Sequence, residues 1–259
     1  MKIEETGGER MKQREALHMD YQKHVEYLPS TKAVLTRRLC ERFGAEQGAA
    51  LWEKTKRLYE DFVADLPYTG GSKNPMCHSL YDSIACFAYW EAMPEGQRES
   101  VEEFAQTVAF VFNGETVKKR NPEFFTANNR ALLKLAGAVL RIAFAPMNRQ
   151  VDAGRWNNAW RVRINPEGKS EGLQMVLVGC PIADFAKKHG YMDLMPAMCN
   201  PDFDNMPELG IYLIRPKTVG MGYPVCDYRF VGDKSPAVKQ YERVRDEKGF
   251  LVSRRISGL

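Results

Sequence analysis

The sequence predicts an α+β fold, in which a helical N-terminal half packs with a small, mostly antiparallel sheet in the C-terminal half. Apolar residues recur every three or four positions up to about residue 150, which is the period of an amphipathic helix. Beyond that point, short segments alternate polar and apolar residues, as half-buried strands do. Because helices and strands are segregated along the chain, the order favours α+β over an alternating parallel fold.

Leucine and phenylalanine at helical spacing predict two helices before residue 67. The residues of this stripe are Leu35, Leu39, Phe43, Leu51, Leu58, Phe62 and Leu66. Pro67 is expected to end the second helix, since the residue before a proline is disfavoured in the helical conformation. Ile84 and Phe87 mark one face of a third helix. Ser100 and Glu103 have the spacing of a capping box, which predicts the start of a fourth.

One later segment stands apart because it has almost no polar face. It runs from Ala131 to Ala145 and reads ALLKLAGAVLRIAFA. A helix that is apolar nearly all round is usually buried on every side. We therefore predict that this helix lies at the centre of the core.

The second half of the chain predicts strands and short helices. Trp160, Val162 and Ile164 alternate with arginines, which is the two-residue period of a strand. A helix is expected to begin at Pro181, because proline suits the first helical turn, and to stop at Gly190. The other expected elements are strands near 174–178, 211–218 and 225–231 and a short helix at 194–199.

We expect one principal α+β domain with an extension at each end. The expected boundaries are 1–30 for a polar N-terminal extension, 31–231 for the domain (31–150 mainly helical, 155–231 α+β) and 232–259 for a charged C-terminal segment. This last segment is expected either as a solvated extension or as a hairpin that turns about Glu247, Lys248 and Gly249.

Composition limits the classes of partner. The net charge is +4 and basic and acidic residues are interspersed, whereas a nucleic-acid surface needs clustered Lys and Arg. The first 20 residues are polar and lack the apolar core of a signal peptide. Apolar runs are interrupted before the roughly 20 residues that a membrane span needs. We expect a cytoplasmic protein with reduced thiols that binds neither nucleic acid nor membrane; homo-oligomerisation stays open.

The chemistry is expected among Cys, Asp and Arg residues, because no Ser-hydrolase, zinc-protease, phosphate-loop or dinucleotide motif is present. Cys180 follows a predicted strand and directly precedes the helix-starting Pro181. The N–H groups and dipole at a helix N-terminus lower a thiol's pKa and favour the nucleophilic thiolate. The alternative is a buried structural cysteine, since free cysteines are commonly buried.

Two further cysteines belong to the same half of the chain. Cys199 ends a short apolar helix, and Cys226 lies on the last predicted strand. With Cys180 and His189 these thiols have the ligand types of a zinc site. No pair has the close C-x-x-C spacing that structural zinc sites use, so we expect no metal.

A loop in the first half is a candidate binding element. Asn74 is expected to cap the helix that follows, with Pro75 in its first turn. Lys73 beside that helix N-terminus is a candidate anion-binding residue. His78 and Asp82 fall one turn apart and suit a base with its orienting group, the alternative being a surface pair.

Two arginines on the last strands are candidates for holding an acidic substrate. Arg215 and Arg229 occupy the last two of these predicted strands, and a guanidinium binds a carboxylate with a rigid two-pronged geometry. The alternative for both is a solvent-facing side chain on a strand.

Read together, three blocks resemble the L-2-amino-thiazoline-4-carboxylic acid hydrolase family. The first block, PYTGGSKNP, is similar to the family's P-Y-x-G-G-x-x-N-P loop. The second, GCPIADFAKKHGYMDLMPAMCNPDF, is similar to a family stretch with a cysteine before a helix, then a glycine, then M-C-x-x-D. The third, GIYLIRPKTVGMGYPVCDYRF, is similar to the family's closing block, which contains C-D-[FY]-R-F. Gly179 and Ala183 stand where the family often has an acidic residue and a second cysteine, which leaves the exact substrate open.

The resemblance implies a hydrolase that opens a small cyclic amidine- or isothiourea-type ring at its carbon–nitrogen double bond, as in 2-amino-thiazoline-4-carboxylate, without a cofactor. It implies a small-molecule substrate that bears a carboxylate. The implied catalytic residues are Cys180, Asp202, Cys226, Cys199 and His78, and the implied substrate-binding residues are Tyr68, Lys73, Asn74, Arg215 and Thr218. Attack by the Cys180 thiolate and direct attack by water both stay open. So does a non-catalytic module that binds or senses a small molecule in the same pocket.

Overall fold

The structure is a computed structural model that describes residues 29–114, 119–156, 158–167, 171–204 and 206–257. Most of the predicted extension over 1–30 therefore lies outside the described residues. Helices dominate the first part of the chain and a small antiparallel sheet follows, so the predicted α+β class is confirmed. The chain divides into two compact units, Met1–Ser100 and Val101–Leu259.

The described part of the first unit contains helices α1 (Pro29–Phe43), α2 (Ala45–Ala64) and α3 (Cys77–Ala92). The predicted stripe faces the core: Leu35, Leu39, Leu51 and Phe62 are buried, and its other three residues are half-buried. Gly48 allows α1 and α2 to pack closely, because a Cβ atom on it would lie 2.7 Å from the Cα of Cys40. Nearly every residue of α3 from position 80 to 89 is buried, so α3 is the central helix of this unit.

The second unit contains α4 (Val101–Asn113), α5 (Arg130–Asp152), α6 (Pro181–His189) and α7 (Met195–Cys199) among its described helices. The boundaries of α6 follow the prediction: Pro181 occupies the first turn, and Gly190 ends the helix in a left-handed conformation with a φ of 77°. Asn129 caps α5 by accepting hydrogen bonds from the N–H groups of Ala131 and Leu132.

The prediction that the apolar helix lies at the centre of the core is wrong. This helix is α5, and Leu135, Val139 and Ile142 on it are 61%, 55% and 74% exposed. Its buried residues are Gly137 and Met147, because it covers strand β1 with one face only. By length and composition, Glu123–Asp152 would suffice to cross a membrane, but that property alone does not establish a span. The apolar composition of a helix predicts that its face avoids water, but it does not predict which part of the molecule packs against that face.

The sheet of the second unit has four antiparallel strands in the order β1-β2-β4-β3. Their bounds are β1 Arg161–Ile164, β2 Leu173–Val178, β3 Ile211–Ile214 and β4 Val225–Gly232. All four lie within the segments predicted from alternation, except that β2 and β4 each extend one residue further. In the centre of the sheet, Cys226 on β4 pairs with Leu177 on β2.

The C-terminal segment forms a hairpin of strands β5 (Tyr241–Arg245) and β6 (Leu251–Arg255). Its turn closes at Gly249, which has a φ of 88° and donates a backbone hydrogen bond to Asp246. Ser253 on β6 exchanges hydrogen bonds with the backbone N–H and C=O of Arg215, at 2.9 Å each. The hairpin therefore supports the segment that carries Arg215.

Candidate active site

The candidate site lies in the second unit, where three thiols, a carboxylate, a guanidinium and a phenol come together. These groups belong to Cys180, Cys199, Cys226, Asp202, Arg215 and Tyr228. Cys180 is the N-cap of α6, and Asp202 lies in a short 3-10 turn, Asn200–Phe203, directly after α7. Cys226 and Tyr228 lie on the same face of β4, because strand side chains alternate with a period of two.

Arg215 is fully buried at the base of this cluster. Its Nη1 donates to Asp202 Oδ2 at 2.8 Å and to the carbonyl of Cys199 at 2.5 Å. Its Nη2 donates to the carbonyl of Leu251 at 3.0 Å, and the guanidinium stacks 4.6 Å from the centre of the Phe203 ring. Both terminal nitrogens are thus bound to acceptors of the protein itself. The role of carboxylate anchor for Arg215 stays a prediction, and the geometry favours a role in holding Asp202.

Asp202 is the carboxylate of the cluster, with a side chain 32% exposed. Its Oδ2 accepts a hydrogen bond from Arg215 and another from the Tyr228 hydroxyl at 2.9 Å. Burial raises the pKa of Asp202, and the Arg215 charge and the two hydrogen bonds oppose that rise. Both hydrogen bonds engage the same carboxylate oxygen, Oδ2.

Cys226 has two hydrogen-bond donors beside its sulfur. Its Sγ accepts the backbone N–H of Val219 at 3.3 Å, and the Tyr228 hydroxyl is a second hydrogen-bond partner. Burial raises the pKa of Cys226, while those donors and the Arg215 charge lower it. The Val219 N–H is held in place by Thr218, whose hydroxyl accepts from Met221 at 3.3 Å and caps the Val219–Met221 turn.

Cys180 is at the helix N-cap, as predicted, but the expected lowering of its pKa is wrong. Burial raises the pKa of Cys180 to about 12, and a neighbouring Cys226 thiolate raises it further. The N–H groups of Ile182 and Ala183 and the Trp160 indole lower it, without offsetting the loss of water. Burial raises the pKa of Cys199 as well.

Within the described ranges, no set of three or more His, Cys, Asp and Glu side chains is arranged to hold a metal ion.

The remaining predicted site residues, Tyr68, Lys73, Asn74 and His78, belong to the first unit. The prediction that Asn74 caps the next helix is wrong, because α3 begins at Cys77 and Pro75 precedes it. Asn74 is instead buried and closes its own loop: its side chain donates to the carbonyl of Thr69 at 2.7 Å and accepts from the N–H of Met76 at 2.9 Å. Lys73 and His78 are exposed.

Asp82 is a second carboxylate with a shifted pKa, and it lies in the first unit. Burial raises the pKa of Asp82 from 3.8 to about 6, although the Thr31 hydroxyl donates to it at 2.7 Å and His78 is a nearby charge. The folded chain therefore holds more protons than the unfolded chain between these pH values. Stability contributed by this group is present below pH 4 and is lost as the pH rises to about 6.

Replacing Asp82 with asparagine is expected to remove this pH dependence. In the unmodified chain, Asp82 should lower the free energy of unfolding by on the order of 2–3 kcal/mol between pH 4 and pH 7. The variant should lack this loss. Urea titrations at both pH values measure this difference. Asp61→Asn on the exposed face of α2 is the matched control and should leave the pH dependence unchanged. A slope that persists in Asp82→Asn would show that another group titrates.

Comparison with known families bears on the chemistry of the cluster. A family model described as L-2-amino-thiazoline-4-carboxylic acid hydrolase matches residues 79–230, more than half of the chain. The chain belongs to this family. No curated protein and no solved structure gives a match.

The hydrolase-family match covers the cluster of the second unit and not the loop of the first. Cys180, Cys199, Asp202, Arg215 and Cys226 fall within it. The predicted residues from position 68 to 78 precede its first residue. The resemblance stated from sequence is therefore confirmed at the level of the family.

The structure adds Tyr228 and Trp160 to the candidate site. Trp160 is buried and provides a hydrogen bond to Cys180, but nothing in the strand alternation around it points to a thiol. Tyr228 contacts Asp202 and Cys226. It was accessible to sequence reasoning, because it is two residues from Cys226 on a strand and must share that residue's face.

Proposed function

We propose that the protein is a hydrolase that opens a small cyclic amidine or isothiourea ring of the 2-amino-thiazoline-4-carboxylate type. The observation that carries this proposal is a carboxylate, Asp202, held through one oxygen by Arg215 and Tyr228 beside the thiols of Cys199 and Cys226. Membership of the hydrolase family supports the reaction class.

The ring carbon of such a substrate is bonded to two nitrogens and a sulfur and is electron-poor. Hydrolysis adds the oxygen of water to this carbon, places one proton on the ring nitrogen and one on the departing sulfur, and breaks the carbon–sulfur bond. The product is a carbamoylated amino thiol. This sequence needs a base to accept a proton during attack and an acid to return it, and a positioned side chain typically contributes 10²–10⁴-fold to such a step.

Asp202 suits the base role for a physical reason. A general base works best when its pKa is close to the working pH, and burial shifts the pKa of Asp202 upward from the ordinary aspartate range. Arg215 and Tyr228 fix the carboxylate by hydrogen bonds to Oδ2. The substrate carboxylate needs another cation, because both Nη atoms of Arg215 bind protein acceptors.

The proposal is tested with 2-amino-thiazoline-4-carboxylate and a panel of cyclic amidines and isothioureas. The full chain should convert at least one of them to a product heavier by one water molecule, as measured by mass spectrometry. A thiol reagent then reports which bond breaks, since a free thiol is produced only when sulfur departs from the thiazoline carbon. Saturable binding without conversion across the panel would contradict a hydrolase and favour a non-catalytic binding module instead.

A further inference from the structure

A continuous chain of polar groups runs from Cys226 to Arg215. The Tyr228 hydroxyl is a hydrogen-bond partner of the Cys226 thiol and also lies 2.9 Å from Asp202 Oδ2. Arg215 Nη1 holds the same carboxylate oxygen at 2.8 Å. A hydroxyl both donates and accepts hydrogen bonds, so Tyr228 connects the thiol to the carboxylate. Burial raises the pKa of Tyr228 well above its ordinary value, which keeps this connecting hydroxyl protonated.

The surroundings of Cys180 differ from those of Cys226 in the kind of group that they provide. The groups that lower the pKa of Cys180, against the larger effect of burial, are the N–H groups of Ile182, Ala183 and Trp160. Backbone and indole N–H groups donate hydrogen bonds and do not accept protons. They stabilise negative charge on the Cys180 sulfur but provide no route by which its proton leaves.

Cys199 also differs from Cys226. A Cβ atom on Gly220 would lie 3.2 Å from the Cys199 sulfur, and the same position is equally close to the side chains of Met195 and Phe250. The sulfur therefore packs against an apolar turn. The backbone carbonyl of Cys199 is occupied by Arg215. These contacts fit a residue that shapes the wall of the site.

We propose that Cys226 is the attacking nucleophile of the ring-opening reaction, and that Tyr228 passes its proton to Asp202, which Arg215 holds in position. This inference rests on the proposed function and replaces Cys180 in the nucleophilic role. Cys180 then lines the site as a neutral thiol. Tyr228, Asp202 and Arg215 act through Cys226.

In the covalent step, the Cys226 proton moves to the Tyr228 oxygen while the Tyr228 proton moves to Asp202. The thiolate bonds to the ring carbon, the electron pair of the C=N bond moves to the ring nitrogen, and that nitrogen takes the proton from Asp202. The exocyclic amino group then forms a double bond to the carbon as the ring carbon–sulfur bond breaks, and one amino proton passes to the departing sulfur. Water adds to the same carbon and gives one proton to the exocyclic nitrogen; its other proton passes through Asp202 and Tyr228 to Sγ as the carbonyl forms and the carbon–Sγ bond breaks, which regenerates the Cys226 thiol.

The charges that face Cys226 come from several elements. Burial raises the pKa of the thiol, the Val219 N–H and Arg215 lower it, Asp202 raises it, and the Tyr228 hydroxyl lowers it. Because Tyr228 and Asp202 offer its proton a path and the Val219 N–H donates to its sulfur, we expect Cys226 to ionise first among the three thiols.

Thiol mapping tests the assignment without any substrate. The full chain is treated with limiting iodoacetamide at pH 8, and the modified peptides are quantified by mass spectrometry. Cys226 should be alkylated at least about tenfold faster than Cys180 and Cys199, and the urea-unfolded chain, in which all thiols are accessible, is the reference. Faster alkylation of Cys180 than of Cys226 would overturn the assignment.

Variants test the same assignment in turnover. Cys226→Ser should lower kcat at least about a hundredfold and by more than Cys180→Ser does, whereas Cys40→Ser, a thiol outside the cluster, should retain activity within about tenfold. Mass spectrometry of the chain quenched during turnover should show the substrate attached to the peptide that contains Cys226. Retained activity in Cys226→Ser, or an adduct on Cys180, would overturn the proposal.

Tyr228→Phe distinguishes a proton pathway from a packing role. Removal of the hydroxyl leaves the ring in place, so a residue that only packs would leave the alkylation profile unchanged. We expect the pH dependence of Cys226 alkylation to move to higher pH, because one hydrogen bond to the thiolate is lost. An unchanged profile would exclude Tyr228 from the pathway.

Failure of the proposed function and failure of this inference give different results. If the unmodified chain opens no ring in the panel, the reaction class is wrong, and thiol mapping still decides whether Cys226 is the most reactive thiol. If the chain opens a ring and Cys226→Ser remains active, the reaction class stands and the nucleophile assignment is wrong.

Discussion

Replacing Arg215 with methionine is expected to lower the free energy of unfolding of the second unit by about 3–5 kcal/mol. Arg215 is fully buried, and its guanidinium satisfies the Asp202 carboxylate and the carbonyls of Cys199 and Leu251. Methionine preserves much of the volume but leaves all three acceptors without this donor. The cost is therefore dominated by an uncompensated carboxylate and not by a cavity.

Hydrogen exchange of the β2 and β4 backbone amides measures this effect in the unit that contains the site. Arg229→Met is the matched control, because Arg229 lies on the same sheet but donates to the Glu171 carbonyl in an exposed hydrogen bond. It should cost less than about 1 kcal/mol. A second substitution, Asp202→Asn in the Arg215→Met background, should recover part of the loss, since it removes the unpaired charge. A loss below about 1 kcal/mol in Arg215→Met would show that the ion pair is not structurally required.

Asp202→Asn is expected to lower kcat for ring opening by 10²–10⁴-fold, the usual contribution of a positioned acid or base. The asparagine side chain has the shape of aspartate and still accepts hydrogen bonds from Arg215 and Tyr228, but it does not take up a proton. In the unmodified chain, activity should fall on acidification through a pKa above the ordinary aspartate value of 3.8, because burial raises the pKa of Asp202. The variant should lack that acidic limb in its pH–rate profile.

Asp204→Asn is the control for this measurement. Asp204 is two residues away and exposed, so its replacement should leave kcat within about twofold. The folded fraction of each variant is measured in parallel, because Asp202→Asn leaves the Arg215 charge uncompensated. Activity of Asp202→Asn within about threefold of the unmodified chain would rule out the carboxylate as the base.

Local sequence signals predicted most of the elements. The boundaries of α6 were predicted because Pro181 and Gly190 act on the backbone of their own turns. Strand β1 was predicted because the alternation of Trp160, Val162 and Ile164 with arginines is visible within five residues. The start of α3 was misplaced, since Asn74 has two backbone partners available and binds Thr69 and Met76 within its loop.

The sequence predicted which residues form the candidate site better than it predicted their chemistry. Cys180, Asp202, Arg215 and Cys226 were selected from sequence, and the structure brings them together in the second unit. The lowered pKa expected for Cys180 was wrong, because the helix N-terminus is one contribution and burial is a larger one. The burial of a residue depends on contacts with segments that are distant in the sequence, and the neighbouring sequence does not reveal those contacts.

The sequence by itself determined the α+β class, the order of helices and strands, and membership of the hydrolase family, because these depend on periodicity, turn residues and motifs that neighbouring positions carry. Tertiary structure alone decided that α5 leaves Leu135 and Ile142 exposed and that Arg215 binds Asp202 instead of facing solvent. It also decided that Tyr228 joins Asp202 to Cys226. The physical reason is that exposure, ion pairing and thiol pKa depend on which remote segments exclude water from a side chain, and chain folding fixes those partners.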